Sequence, residues 1–425
     1  MSAGDAVTRG WRTLLLDPTP LRSNPEYRRL FVMRAITFTG SMITFVALPA
    51  QVYALTGSSL QVGLVGLAEV VPLVGAALFG GALADRVDRR ALIAFCEAAM
   101  VVCTGLLALN ASAGSDAAVW PIYVFAAVAA VFDGLQRPAI EALTQQVLVP
   151  DHIVAANGLM SASGSLIMIV APVIGGVILD VWGFEWAFGV DALTFVVGGV
   201  LAASLAPRRA TRSDETTSPA RDIRVGLRYA WSRRELFGSY IVDVNAMVFG
   251  MPFALFPAMA DDLGGNRTLG LLYAGPAIGS LIATVVAAGL PDRVRRHGVG
   301  LLWAASGWGL AIAGFGMAAT VPLAIGCLVI AGACDMVSGL FRSAIWNQTI
   351  PNDMRGRLAG IEMVSYSASP PLGNVESGLV AAATGVRTSV VSGGLLCVIG
   401  SGVIACALPA LRSYRAENPP TRSPV

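Results

Sequence analysis

Stretches of about 20 apolar residues recur along this chain from Leu30 to Leu411, and a helix of that length crosses a hydrocarbon core about 30 Å thick. The mean hydropathy is +0.68. Only 13% of the residues are charged, against roughly 25% in soluble proteins. A soluble protein cannot bury that much apolar surface, so the sequence predicts an all-α membrane protein with many spans.

Clusters of Gly, Pro, Asp and Arg divide the apolar sequence into segments of 20 to 28 residues. These predict twelve transmembrane helices, at 30–55, 59–84, 91–112, 118–142, 154–181, 186–206, 236–260, 268–290, 299–319, 321–345, 358–383 and 387–411. The polar segment 207–234 lies near the middle of the chain. We therefore predict a tail at 1–29, a six-helix bundle at 30–206, a linker at 207–234, a second bundle at 235–411 and a tail at 412–425.

The distribution of arginine predicts the orientation, because basic residues in short loops stay on the cytoplasmic side. If both termini are cytoplasmic, 24 of the 29 arginines lie in cytoplasmic tails, loops or the linker, and only Arg267 and Arg387 lie outside. We therefore expect a cell-membrane protein with both termini and the linker in the cytoplasm.

The missing residue types exclude several kinds of chemistry. All 29 basic residues are arginine, so the chain has neither the lysine of a Walker A loop nor one for Schiff-base catalysis. The six cysteines all fall inside apolar segments without a CxxC pair, which is typical of small hydrophobic residues and not of metal ligands. We expect no enzyme activity, no catalytic residue, no metal and no cofactor.

The two predicted bundles share short sequence elements in the same order. DRV at 85–87 recurs at 292–294, Asp133 and Arg137 recur as Asp335 and Arg342, and PVIG at 172–175 recurs as PLG at 371–373. The offsets are all close to half of the chain. Two parallel repeats related by an axis along the membrane normal describe the major facilitator architecture.

Specific motifs strengthen this resemblance. The segment GALADRVDRR at 81–90 is similar to the major facilitator loop motif G-x-L-A-D-R-x-G-R-K, with Asp88 in place of the usual glycine. Further matches are NPEYR at 24–28, AQVY at 50–53, AANGL at 155–159, FPAMAD at 256–261, GLLYAGPAIG at 270–279 and RGRL at 355–358. Together they resemble the enterobactin-exporter branch of the superfamily over nearly the whole chain.

The fifth span contains APVIGG at 171–176, which is similar to a G-P-x-x-G-G motif associated with antiporters. Pro172, Gly175 and Gly176 match it, while alanine replaces the first glycine. The resemblance implies export. A proline beside small residues also permits a kink and close helix contact whatever the direction of transport, so a purely structural role stays open.

Charged residues within the spans need an explanation, because each costs at least about 2.5–3.5 kcal/mol at the bilayer centre. Glu69 lies near mid-depth and Arg34 one turn inside the first span. We predict that these two, with Asp243 and Glu376, face a substrate cavity or carry protons; static hydrogen-bonded or ion-paired roles are the alternative. Residues nearer the predicted surfaces need no such role; they are Glu97, Asp180, Asp191 and Glu362.

The resemblance also implies a gate on the cytoplasmic side. Asp85, Arg89 and Asp133 match the acid, base and second acid that close this side in related transporters. Asp85 would cap the positive N-terminal end of the eleventh span, and Arg89 would bind both carboxylates. Arg137 is the second predicted base, or else a solvated helix-end arginine.

These features predict a proton-driven secondary exporter of a siderophore or a similar bulky amphipathic metabolite. Its expected partners are that small molecule, protons and the lipid bilayer; we expect no nucleic acid and a monomer. A multidrug pump or lipid transporter of the same fold would have the same spans. A non-transporting receptor is disfavoured because it need not keep the gating loops at Asp85 and Asp292.

Overall fold

The computed structural model describes residues 17–84, 86–207, 228–287, 290, 294–351 and 354–415, without the side chains of 78, 82, 84, 356, 357 and 359–367. Among the predicted site residues, Asp85 lies outside this part of the chain, as does most of the predicted linker. The predicted contacts of Asp85 with Arg89 and with the start of the eleventh span therefore stay predictions.

Helices make up nearly all of the described chain. The long ones are α1 Pro25–Thr56, α2 Ser59–Ala84, α3 Arg89–Ala111, α4 Trp120–Val147, α5 Ile153–Val181, α6 Phe184–Ala203, α7 in two pieces Arg234–Phe249 and Phe256–Leu263, α8 Asn266–Ala287, α9 His297–Gly316, α10 Val321–Thr349, α11 Arg355–Thr384 and α12 Val386–Ala407. Short helices at Thr19–Ser23 and Pro409–Ser413 lie at the two ends. The predicted all-α architecture is confirmed.

Ten of these helices, with α7 counted across its break, are long and apolar enough to cross a membrane by length and composition. The other two, α4 and α11, contain 28 and 30 residues but are more polar. Asp133 lies at the middle of α4, and Arg137 and Glu141 lie in its second half. Both helices are long enough to span the membrane. Their polar residues indicate that they face a polar site inside the protein.

The sequence predicts the seventh span as one continuous helix, but in the structure this helix is broken into two pieces. After Phe249 the chain leaves the helix at Gly250, and Pro252, which has no backbone N–H, begins a turn that leads into the second piece at Phe256. The backbone N–H of Ala254 donates instead to the side-chain oxygen of Asn374 on α11, at 3.0 Å. A helix broken at membrane depth is stable because a neighbouring helix satisfies its freed backbone group.

The helix contacts repeat from one half of the chain to the other. In the first half α2 packs on α4, α3 on α4 and α6, and α1 on α5 and α6; in the second half α8 packs on α10, α9 on α10 and α12, and α7 on α11 and α12. Adding six to each helix number in the first set gives the second. The internal repeat predicted from sequence is thus present in the packing.

The two ends of the bundle differ in how the halves meet. The starts of α1, α3 and α5 and the ends of α4 and α6 lie together. This is shown by hydrogen bonds from Asn24 to Val147, Tyr27 to Ala156, Arg29 to Ser204, and Arg90 to Ala203 and Leu205. We call this end, which also holds the first and last described residues, the terminus side. Here each half has its own hydrophobic cluster, whereas the opposite or far side has one cluster built from both halves.

Glycines bring the two halves together on the far side. A Cβ on Gly176 of α5 would lie 2.7 Å from the carbonyl oxygen of Asn266 and 3.0 Å from the Cα of Gly270 on α8. At the contact of α2 with α11, a Cβ on Gly63 would lie 2.5 Å from the carbonyl oxygen of Asn374. Only glycine permits backbones to approach this closely, so the halves are joined by two glycine seams related by the repeat.

Candidate functional site

A central cavity of about 450 Å³ lies between the two halves. Its walls come from α1, α2, α3, α4 and α6 of the first half, with Phe253, Ala254, Tyr273 and Asn374 from the second. Most of the lining is apolar, including the aromatic rings of Phe38 and Phe45. A largely apolar cavity with a few polar groups is typical of a small-molecule site.

A side chamber of about 270 Å³ continues from this cavity toward the terminus side. The two spaces share wall residues, among them Phe38, Met100 and Phe195. The side chains of Arg34 and Arg137 are exposed there. These exposed arginines line the chamber on the terminus side, so the cavity opens on that side. On the far side, the hydrophobic cluster built from both halves closes it.

Glu69 of α2 lines the central cavity, as predicted from its depth in the sequence. Within the described chain its carboxylate makes no hydrogen bond or ion pair. Opposite it, Asp133 of α4 binds Arg137 one turn further along the same helix, with the Nη2 and Nε atoms 2.6 and 2.9 Å from Oδ2. Asp133 and Arg137 line both spaces.

Asp191 of α6 is a cavity residue that sequence reasoning missed. The sequence suggested a position near the outer surface, but the carboxylate is 1% exposed and lies at the wall of the central cavity. Its Oδ2 accepts a hydrogen bond of 2.6 Å from Thr44 Oγ1 of α1, and its Oδ1 accepts one of 3.3 Å from Thr194 Oγ1. The sequence signal was present: two helical turns of α6 precede Asp191, which is too deep for helix-end solvation.

Glu97 of α3 also departs from expectation. Predicted to need no role because it lies nearer the helix end, it is 0% exposed, and within the described chain neither carboxylate oxygen has a hydrogen-bond partner. Buried carboxylates are ordinarily paired or hydrogen bonded. Solvation at the membrane surface therefore does not explain this residue.

The charged groups of the second half are arranged differently. Asp243 of α7, predicted to face the cavity or titrate, forms an ion pair with Arg342 of α10, and both side chains are largely buried. The guanidinium of Arg342 lies over the ring of Trp346, 5.6 Å from its centroid. Asp243 is not among the residues that line the two spaces. Its environment is that of a buried pair.

Glu376 and the antiporter-like motif of α5 lie outside the cavity, and the motif lies at contacts between helices. Glu376 is half-buried toward the far end of α11 and does not line the two spaces. Pro172 and Gly176 lie at the seam with α8, where a Cβ on Gly270 would overlap the carbonyl of Pro172. A Cβ on Gly175 would lie 3.3 Å from the Cα of Ile43 on α1. The antiporter-like motif therefore forms helix contacts in this structure.

The predicted gate is only partly within the described chain. Arg89 is buried at the first residue of α3, while Asp133 forms its ion pair with Arg137. In this structure the terminus side is open, so the expected closing contact of Arg89 with Asp133 belongs to another state. The gating role of these residues stays a prediction.

Two repeats around a central cavity that opens on one side define a secondary transporter of the alternating-access class. The sequence matches the Major Facilitator Superfamily over residues 30–243 and 243–424. The chain belongs to this superfamily, as its motifs predicted. It is therefore a membrane transporter by family and not an enzyme.

Relatives and solved structures agree with this assignment. The chain is 27% identical over 414 residues to Enterobactin exporter EntS of Shigella flexneri and to that of Escherichia coli O127:H6, covering 96% of this chain and 97% of each relative. Its fold is similar to that of a mutant of the nucleoside transporter NupG (TM-score 0.72, 14% identity, 91% of this chain and 99% of that one). It is also similar to a bacterial homologue of the human lysosomal transporter Spinster in an inward-facing, unoccupied conformation (TM-score 0.71, 15% identity, 92% and 98%).

Proposed function

We propose that this protein is a proton-driven exporter of a siderophore or a similar bulky amphipathic metabolite. The full-length similarity to Enterobactin exporter EntS supports the substrate class. The cavity supports a bulky amphipathic ligand, because aromatic walls lie beside a carboxylate, an Asp–Arg pair and hydroxyl groups. The single observation that carries the proposal is Glu69, a carboxylate without a described partner in that cavity.

Glu69 would couple the proton to the substrate. Burial of a carboxylate disfavours its ionised form, and contact with water or a cation favours it. In the state seen here the cavity is open to solvent on the terminus side; closure there and opening on the far side would change the solvation of Glu69. A proton taken up on one side is then released on the other.

The proton gradient is an adequate energy source for such an exporter. Moving one charge through about 100 mV provides about 2.3 kcal/mol. Because about 1.4 kcal/mol corresponds to a tenfold ratio, each proton supports a substrate gradient somewhat above tenfold.

The direction of export requires that the terminus side is cytoplasmic. Within the predicted topology, 24 of 29 arginines lie on that side. Protease added to intact cells should leave the linker at 207–234 uncut, whereas protease added to inverted vesicles should cut it. Cleavage in intact cells would reverse the proposed orientation.

A second function is favoured by the charges of the central cavity. Glu69, Asp133 and Asp191 provide three carboxylates against the single guanidinium of Arg137 among its described lining. Such an excess would favour a cationic amphiphile, as in a multidrug efflux pump. Transport of ethidium and not of enterobactin would select this function.

Proton-driven export is tested with inverted membrane vesicles, with enterobactin as the substrate and an imposed pH gradient that is acid inside. In wild-type vesicles the gradient should accelerate enterobactin uptake. Glu69→Gln keeps the shape of the side chain but cannot titrate, so this variant should still exchange enterobactin down its own gradient and lose the part of the acceleration that the Glu69 proton provides.

The matched control is Asp116→Asn, which neutralises an exposed acid on the short turn before α4 and should behave as wild type. If Glu69→Gln vesicles keep the wild-type response to the pH gradient, Glu69 is not the coupling acid, and Asp191, which also lines the cavity, is then the next to substitute.

A further inference from the structure

A row of polar side chains lies along the contact between α1 and α6, on the face of the first half that borders the cavity. We call it the α1–α6 seam; it consists of Thr37, Thr44, Glu97, Asp191 and Thr194. Two glycines permit it: a Cβ on Gly40 of α1 would overlap Asp191 and Thr194, and a Cβ on Gly198 of α6 would lie 2.5 Å from Glu97 Oε2 and overlap Thr37.

One end of the seam reaches the cavity. Asp191 lines the central cavity, and the hydroxyls of Thr44 and Thr194 donate hydrogen bonds to its carboxylate. Phe195, the next side chain toward the terminus side that lines the cavity from α6, borders both spaces. The Asp191 carboxylate is therefore placed to exchange a proton with the cavity.

The other end of the seam is Glu97, which α3 inserts at the same point. A Cβ on Gly198 would touch both Glu97 Oε2 and the methyl carbon of Thr37. The Thr37 hydroxyl donates to the carbonyl oxygen of Met33 at 3.1 Å, and Thr37 lines the side chamber. Met100, one turn along α3 from Glu97, lines both spaces. Glu97 thus lies directly behind the chamber wall, and its carboxyl group occupies the space that a side chain at position 198 would fill.

The surroundings of Glu97 contain acids and no described cation that pairs with it. The titratable groups that interact with it electrostatically are Asp191 on α6, Asp133 on α4 and the adjacent Cys96. From α1 the nearest charge is Arg34, one turn from Thr37 and exposed in the side chamber. An ionised carboxylate without a hydrogen bond or ion pair is costly at such a site, whereas a carboxylic acid is neutral.

We propose that the α1–α6 seam is a second proton-binding site, in which Glu97 binds one proton per transport cycle and exchanges it with the cavity past Asp191 and Thr37. The step forms and breaks only the O–H bond of the carboxyl group, and water in the open cavity accepts or supplies the proton. The proposal rests on proton-driven export but adds a site distinct from Glu69.

Infrared difference spectroscopy of the purified full chain tests the binding step without any substrate. The wild-type spectrum should contain C=O bands of protonated carboxylic acids that decrease as the pH is raised, and Glu97→Gln should remove one of them, the Glu97 band, while the band of Glu69 remains. Glu97→Asp, which keeps a titratable group, should restore a band. Asp151→Asn, at an exposed acid near the start of α5, is the control and should leave the band in place. An unchanged set of bands in Glu97→Gln overturns the proposal.

Coupling is tested in proteoliposomes that contain a pH-sensitive dye, with enterobactin as the transported probe. Glu97→Gln should move one proton fewer per enterobactin than wild type, and at about 100 mV its limiting substrate gradient should fall more than tenfold. Glu97→Asp should recover part of the wild-type ratio. A Glu97→Gln protein that loses the infrared band but keeps the wild-type proton ratio has lost a static acid, and the proposal is wrong.

The infrared and transport results separate this proposal from the proposed function. If wild-type protein exchanges enterobactin without any proton movement, proton-driven export is wrong, and so is the coupling role of Glu97. An infrared band that Glu97→Gln removes would then show only that Glu97 holds a proton with a structural role. If wild-type coupling is present and Glu69→Gln abolishes it while Glu97→Gln leaves the ratio unchanged, only the second site is overturned.

Discussion

The two halves share a helix arrangement but use their charged residues in different ways. In the first half Glu69, Glu97 and Asp191 have no described cation as partner, and two of the three line the central cavity. In the second half Asp243 is paired with Arg342. Among the described residues, all but four of those that line the central cavity belong to the first half. Each half therefore pairs one acid with an arginine, Asp133 with Arg137 and Asp243 with Arg342, and the first half adds three acids that have no described cation.

This difference indicates that an internal repeat constrains the packing of helices more strongly than the placement of charge. The glycine seams of α5 with α8 and of α2 with α11 correspond between halves, because close backbone contact requires a small residue at each. A carboxylate has several stable environments: a cavity, a hydroxyl pair or an arginine. The predictions below test how far the halves differ.

The largest effect is expected at the buried pair of the second half. Asp243→Ala removes the acid and leaves Arg342 buried without its partner, which typically costs about 3–5 kcal/mol. We expect a strong loss of folded protein in a detergent thermal-unfolding assay. The double variant Asp243→Asn with Arg342→Gln should recover much of the stability, since no buried charge then remains; a double variant as unstable as Asp243→Ala would show that the pair is needed for more than neutrality.

An intermediate effect is expected at the loop between α2 and α3. Asp85→Asn removes the carboxylate that the resemblance places on Arg89 and on the start of α11. Hydrogen bonds to a charged group contribute about 1.5–3 kcal/mol, so transport should fall about tenfold or more while expression stays near normal. The repeat counterpart Asp292→Asn is the comparison: equal losses would mean that both loops gate, and intact transport in Asp85→Asn would refute the gate.

The smallest effect is expected at an exposed ion pair that joins the halves on the far side. Arg267 Nε lies 2.7 Å from Asp180 Oδ2, and the two side chains are 64% and 37% exposed. Exposed pairs contribute about 0–1 kcal/mol. Asp180→Asn should therefore shift the unfolding temperature little and leave transport intact. A large loss would mean that this pair, and not the glycine seams, holds the halves together.

The fold could be predicted from the sequence because it depends on the length of the apolar segments and on short sequence motifs. Apolar length predicted the long helices, whose observed bounds lie within a few residues of the predicted spans at most ends, and short motifs predicted the superfamily. The break in α7 was missed, although Gly250 and Pro252 were visible, because its stability depends on Asn374, which is 120 residues away from Ala254. A prediction made for each span from its own residues cannot identify such a distant partner.

The candidate site was harder to predict for the same reason. Glu69 and Arg34, which were chosen by their depth along the helices, line the central cavity and the side chamber, and their roles stay predictions. Depth along a helix could not distinguish Asp243, which has an arginine 99 residues away, from an acid that faces solvent. Asp191 was missed although its depth of two helical turns was visible, and its hydroxyl partner Thr44, which comes from α1, could not be identified from the sequence of α6. Which acid is paired depends on the rotation of each helix and on its neighbours, and neither is encoded locally.

The closed far side bears on how the cell maintains its membrane potential. Phe45 of α1, Phe253 and Phe256 of α7, and Tyr273 of α8 form a group of ring contacts, with centroids 5.0 to 6.4 Å apart, and Phe256 continues it to Phe315 of α9 at 5.4 Å. Rings from both halves thus close the cavity with a layer that offers ions little hydration. An ion that enters from the open side would have to lose its water to pass. Copies of the protein without bound substrate can therefore remain in this state and conduct no ions down the electrochemical gradient across the membrane.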